Sequence, residues 1–397
     1  MNRYTGVLLA TVLSGAMLFS SCTTNLGPET LPSTSATTEP TETEPEPTET
    51  EIPEHTEPSS HAVITDKVVE QYGKLEIYGT NIVNSEGETV VLKGMSSFGL
   101  QSCGDFFTSE VVKTLAEDWG CDVLRITLTG DKYSEGYIKE PDKYFDMVCK
   151  ICDMCIEQGI YVIVDWNMLY TEAADENKES AVDFFTRLSA IYSDTPNVLY
   201  EITNDSFNDD GEQTVEEEWT EDIKPFAADI IDAVRENSPD SIIIVGAPSM
   251  GSAIDVAADS PLDYDNIAYA YRFFSGSAGD SARELVENAL EEDICIIATE
   301  WGFCNDQGWG GVFFKESGKW IEFFEEHQMS WINYAIGNDS ENDANALNLG
   351  SDRYTDEQKD NGHWPDGMLT KSGTYAREQL LYVPQETETE SESESEE

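Results

Sequence analysis

Eight short runs of apolar, β-branched and aromatic residues recur between about residues 89 and 336, each apolar on both faces of a strand. They read TVVLKGM, DVLRITL, YVIVDW, NVLYEIT, SIIIVGA, NIAYAYRF, ICIIATEW and MSWINYAI. Strands that bury both faces belong to parallel sheets covered by helices. Stretches with helical periodicity lie between them, among them SEVVKTLAEDWG, KPFAADIIDAVRENS, SARELVENALEE and KWIEFFEEHQ. Eight βα units in about 320 residues predict an α/β fold, a (β/α)8 TIM barrel in a single domain. An open doubly wound sheet is the competing arrangement. It carries a glycine-rich phosphate turn after its first strand, and KGMSSFG is not one.

Outside this region the pattern changes. Arg3, the apolar run Val7 to Phe19, and Ser20 and Ser21 before Cys22 predict a lipoprotein-type signal peptide over residues 1–21, with Cys22 lipidated. Phe19 stands where lipoprotein signals more often carry leucine, and an ordinary cleaved signal with an incidental cysteine is the alternative. A Thr/Glu/Pro-rich linker is expected over 22–65, the barrel over 66–384 and an acidic tail over 385–397. Such charge runs repel themselves and bury nothing, so both tails are expected to be disordered. These features imply an exported protein, lipid-anchored at the cell surface or extracellular, that meets a membrane only through its N-terminal lipid. A monomer is expected. The formal charge of −57 excludes nucleic acid as a partner, because nothing neutralises phosphates. Cys149, Cys152 and Cys155 form a CxxCxxC run, but DKYFDMVCKICDMCIEQGIYV reads as a helix, where that spacing gives one face of small buried side chains.

In a barrel the informative polar residues stand at the C-terminal ends of strands. Here they are Arg125, Asp165 with Asn167, Asn204 with Asp205, Arg272, Glu300 and Trp331. Asp205 and Glu300, at the ends of the fourth and seventh strands, make the carboxyl pair that glycoside hydrolysis needs. Trp331 offers a flat apolar surface for a sugar ring. No HxxxH and no paired histidines support a metal-dependent hydrolase, so no metal and no cofactor are expected.

From about Lys74 to Leu381 the chain resembles glycoside hydrolase family 5, in the bacterial endoglucanase branch once called cellulase family A. LKGMSSFGLQSCGDF is similar to the family's LRGMSSHGLQWFGDF. DWGCDVLRITL, EGYI, YVIVDWN, TPNVLYEITND, AIDVAADSPL, NIAYAYRFF, TEWG and MSWINYAI follow in family order. The resemblance implies a retaining mechanism on a neutral β-glucan-type polysaccharide or oligosaccharide. It makes Glu300 the nucleophile, Asp205 the acid/base position, and Arg125 the residue that fixes the nucleophile. Asn204 becomes the ligand of the sugar 2-hydroxyl and Trp331 the sugar platform.

The departures cluster at the same place. Asp205 and Ser206 stand where the family has the Glu and Pro of its NEP motif. Asn167 replaces the DWH histidine, Phe98 the HGLQ histidine, and Arg272 and Phe274 the His-x-Tyr pair; Asn167, Arg272 and Phe274 remain candidate substrate contacts. Ser102 and Met250 replace loop aromatics. Two readings follow. One is a β-glucan hydrolase with low or altered activity. The other is a catalytically inactive protein, a pseudoenzyme, that binds glycan at the cell surface.

Overall fold

A computed structural model describes residues 67–130, 136–168, 174–204, 213–338, 342–349, 364 and 366–382. Eight parallel strands form the barrel: β3 (Lys93–Ser97), β4 (Val123–Thr129), β5 (Tyr161–Asn167), β6 (Val198–Asn204), β7 (Ile243–Gly246), β8 (Ile267–Phe274), β9 (Cys295–Gly302) and β10 (Trp331–Ile336). Each pairs with its neighbour in sequence, and β10 returns to β3 to close the ring. The (β/α)8 architecture read from the sequence is therefore the observed one.

Alternation along the strands divides the core into two shells. On β5, Tyr161 and Ile163 join the inner apolar cluster, while Val162, Val164 and Trp166 join the outer one, packed under the helices. Helix Pro141–Gln158 starts on a proline, ends at left-handed Gly159, and buries Cys152 and Cys155 in that outer shell, with Cys149 half-buried. The cysteine run is thus packing, as its helical spacing predicts. Among the described residues no helix is long and apolar enough to cross a membrane.

The inner shell is closed below by an element that the sequence reading did not anticipate. β1 (Leu75–Tyr78) and β2 (Asn81–Asn84) pair as an antiparallel hairpin across a two-residue turn in which Gly79 takes φ +57°. Leu75 and Ile82 join Val90, Leu92, Val123, Ile163, Ile244 and Ile297 in the inner cluster. Residues 89–92, expected as part of the first barrel strand, precede it, since β3 begins at Lys93. The lower half of the barrel is therefore packed with aliphatic side chains. Further along the same strands the inward positions turn polar, at Arg125, Asp165, Glu201, Arg272 and Thr299. The site lies there.

Three strands, β6, β9 and β10, carry an extra residue at this level; on β10, Tyr334 and Ile336 face the adjacent Ser96 and Ser97 of β3. Asp165 and Asn167 of β5 face Glu201 and Asn204 of β6, so two residues oppose three. Ala270 and Arg272 of β8 likewise face Ile297 and Glu300 of β9, and β10 sees the same insertion, with Trp331 and Asn333 facing Ala298 and Trp301. Bulges of this kind re-aim side chains out of strict alternation. They bring Asn204 and Glu300 into the barrel mouth alongside Glu201 and Thr299.

Candidate active site

The guanidinium of Arg125, fully buried inside the barrel, organises the site. Its Nε and Nη2 grip Glu201 as a fork, at 2.7 Å to Oε2 and 3.3 Å to Oε1. Nη2 lies 3.0 Å from Asp165 Oδ2. Nη1 donates to Ser96 Oγ and Thr127 Oγ1, both at 3.1 Å, and to Glu300 Oε2 at 3.2 Å. Burial alone would lower the Arg125 pKa, but Asp165, Glu201 and Glu300 outweigh it and raise it, so the cation is permanent.

The three carboxylates differ in access. Asp165 and Glu201 have no exposed side-chain surface, whereas Glu300 keeps 20 % of its own. Glu201 also accepts from Thr299 Oγ1 at 2.8 Å, which completes its structural role. Glu300 is the carboxylate that a substrate can touch, and Arg125 engages only its Oε2.

Asp165 links this cluster to Asn204, whose Nδ2 donates to Asp165 Oδ2 at 2.8 Å. Asn167 ends β5 beside Asn204. Asn167 Oδ1, Asn204 Oδ1 and Asp165 Oδ1 are buried with no hydrogen-bond partner among the described residues. Burial pushes the Asp165 carboxyl up to about 7; Arg125 opposes the rise, Glu201 adds to it, and Asn204 and Arg272 lower it. A carboxyl raised above its unfolded value of about 3.9 binds its proton more tightly in the folded state. Its contribution is complete below about pH 4 and is lost as pH rises through about 7. Asp165→Asn should therefore remove a stability decline of about 1.4 kcal/mol per pH unit across that window. Urea unfolding midpoints at several pH values check this, and an unchanged slope would contradict it.

Arg272, on β8, is paired directly across from Glu300. It is 9 % exposed, and Gly251, with φ +83°, lies flat against it: a Cβ there would come within 2.6 Å of its Nε. Arg272 Nε and Nη2 have no hydrogen-bond partner among the described residues. Phe274, half-buried at the end of β8, faces Gly302, where a Cβ would strike its ring at 2.6 Å. Its ring stands edge-on to Tyr334 at 6.3 Å, and Phe98 lies 5.8 Å from Tyr334. The Tyr334 hydroxyl donates to the Phe98 carbonyl at 3.4 Å, and burial together with the charge on Glu300 raises its pKa. Phe98, Tyr334 and Phe274 thus form an aromatic wall beside Glu300.

Trp331 is not part of that wall. It opens β10 at the lower end of the barrel, is 1 % exposed, and packs outward against Trp301 at 5.7 Å and Phe324 at 6.5 Å. Trp331 therefore does not reach the mouth as expected, whereas Tyr334, three residues on, stands on the opposite face of the strand. Trp331→Ala should cost about 3–5 kcal/mol of stability and leave glycan affinity unchanged. Unfolding midpoints paired with calorimetric titration check both halves. Asp205, which directly follows Asn204, and Cys22 lie outside the described residues.

The chain matches the family model Cellulase (glycosyl hydrolase family 5) over residues 83–340. It belongs to glycoside hydrolase family 5. It is 36 % identical over 308 residues to an endoglucanase of Clostridium saccharobutylicum, covering 78 % of this chain and 65 % of that protein. It is 38 % identical over 313 residues to endoglucanase A of Evansella cellulosilytica, covering 79 % and 61 %. The chain thus spans less than two thirds of the length of these two relatives. The catalytic domain of Thermobifida fusca endoglucanase Cel5A superposes with a TM-score of 0.71 at 27 % identity, covering 80 % of this chain and all of that one. A structure from Cytophaga hutchinsonii gives 0.69 at 32 % identity, over 79 % and 96 %. Within this family-5 barrel, Arg125, Asp165, Asn204, Arg272, Glu300 and Tyr334 share one mouth. The sequence reading did not single out Tyr334, which lines the mouth. Nor did it single out Glu201, the buried partner of Arg125.

Proposed function

We propose that this family-5 chain hydrolyses internal bonds of a neutral β-linked glucan with retention, using Glu300 as nucleophile and Asp205 as acid/base. The observation that carries this reading is the Arg125–Glu300 contact of 3.2 Å at a carboxylate which alone of the three remains exposed. The guanidinium holds one oxygen of Glu300, which leaves the other to attack the anomeric carbon. Asp205 then protonates the leaving oxygen and later activates water. The endoglucanase names of the relatives support the substrate class, as does the cellotetraose bound in a variant of the T. fusca catalytic domain.

Turnover is slow in this proposal. Asp205 is one methylene shorter than glutamate, and Phe274 brings no hydroxyl to the nucleophile. A misplacement of about 1 Å costs on the order of 100-fold in rate. Arg272, a guanidinium paired directly across from Glu300, favours the second reading, in which the cleft holds glycan without cleaving it. The two are separated by assaying wild type against cellulose, mixed-linkage glucan, xylan and mannan oligosaccharides, beside a variant carrying Asp205→Glu, Asn167→His, Arg272→His and Phe274→Tyr. Slow wild-type cleavage, with a gain of about 100-fold in the variant, supports hydrolysis. Binding without any product from wild type supports the second reading.

We further propose export with a lipid anchor at Cys22, supported by Arg3, the apolar run Val7 to Phe19 and the serines before the cysteine.

A further inference from the structure

Seven of the chain's eight tryptophans are 1 % exposed or less; the eighth, Trp309, is 55 % exposed. It sits in the segment that joins β9, the strand of Glu300, to helix Phe314–Glu326, and so on the rim where the barrel opens. We infer that Trp309 is a stacking platform for a glucose ring, an outlying subsite for a β-glucan chain whose inner rings occupy the mouth at Glu300. This rests on the substrate class proposed above.

The backbone that carries the indole is held. Asn305 Oδ1 accepts from the backbone N–H of Gln307 at 3.0 Å and of Trp309 at 3.1 Å, and the Asn305 N–H donates to the Trp309 carbonyl at 3.1 Å. Both backbone polar groups of Trp309 are therefore fixed by one residue. The loop is stitched to both neighbours on the rim. Asp306 N–H donates to Ser277 Oγ at 3.1 Å, after β8. Gly311 N–H donates to Asp343 Oδ2 at 2.8 Å, and Asp343 N–H to the Gly308 carbonyl at 2.8 Å, after β10.

The chemistry fits a sugar. A pyranose ring offers a face of C–H groups to an indole and hydroxyls at its edge, and Gln307, two residues before Trp309, is exposed and carries an amide for such hydroxyls. The other large exposed apolar side chains among the described residues (Tyr78, Ile191, Met250, Tyr264 and Tyr382) stand on other segments. A protein partner requires a contiguous apolar patch; one isolated exposed aromatic suits a polyhydroxyl ring. A platform whose backbone is fixed before binding loses less freedom when the ligand arrives.

The test uses the full chain carrying Glu300→Gln, so that ligand survives, with and without Trp309→Ala, titrated with cellohexaose by calorimetry and tryptophan emission. Because the other seven tryptophans are buried, acrylamide quenching reports chiefly on Trp309. Cellohexaose should protect the emission from acrylamide, and Trp309→Ala should remove that protection and weaken cellohexaose about 10-fold. Trp309→Phe should retain most of the affinity. Binding with unchanged quenching, or affinity within about two-fold after Trp309→Ala, would overturn the subsite alone. No cellohexaose binding by either protein would overturn the proposed function and the subsite with it.

Discussion

Glu300→Gln should reduce glucan turnover by on the order of 10⁴- to 10⁶-fold, the scale seen when a covalent nucleophile is removed, while leaving the barrel folded. The replacement keeps shape and volume. The new amide oxygen would still accept a hydrogen bond from Arg125 Nη1, since only Oε2 of Glu300 is engaged, at 3.2 Å. Glu201 and Asp165 would keep their hold on the same guanidinium. Glycan affinity should therefore survive, and kcat alone should collapse. Reducing-end release and oligosaccharide calorimetry on the same preparation separate the two quantities. Turnover persisting within about 10-fold would mean that Glu300 is not the attacking group.

Arg125→Leu should have the opposite profile, with a large loss of stability. Removing the cation leaves Glu201 and Asp165 fully buried without their shared partner, a loss of about 3–5 kcal/mol. The carboxylates would respond by taking up protons, so the variant should recover stability as pH falls toward the acid range. The pair Arg125→Leu with Glu201→Leu should be less destabilised than the sum of the single changes, because it removes the orphaned charge along with its partner. Urea unfolding of the four proteins checks this. Strict additivity would show that Glu201 draws its support from Thr299 rather than from Arg125.

Much of this was legible in the sequence. Runs such as YVIVDW and ICIIATEW, apolar on both faces, fixed the strands and their parallel order, and Arg125, Asn204 and Glu300 do stand together at the mouth. What escaped was parity. Strict alternation from Ile297 through Thr299 turns Glu300 away from the barrel, and only the extra residue in β9 brings it back. Bulges are set by pairing between distant strands, so a single strand's pattern does not display them. Trp331 and Tyr334 failed differently. They are three apart, hence on opposite faces, and Trp331 begins the strand while chemistry sits at strand ends; position along MSWINYAI was the available signal. Glu201 was likewise readable as inward, two residues beyond Leu199, but its buried structural role follows only from the fork that Arg125 closes on it. The hairpin in LEIYGTNIVN, two alternating runs around Gly79, was equally readable.

The central claim is that Glu300 attacks sugar. An activated 2-deoxy-2-fluoro cellobioside slows breakdown of the glycosyl-enzyme more than its formation, so the covalent species accumulates. Mass spectrometry of the proteolysed protein should place one fluorinated disaccharide on the peptide that contains Glu300, and Glu300→Gln should carry none. An unlabelled Glu300 in a protein that binds the same disaccharide, or a label on another carboxylate such as Asp165, would contradict this account.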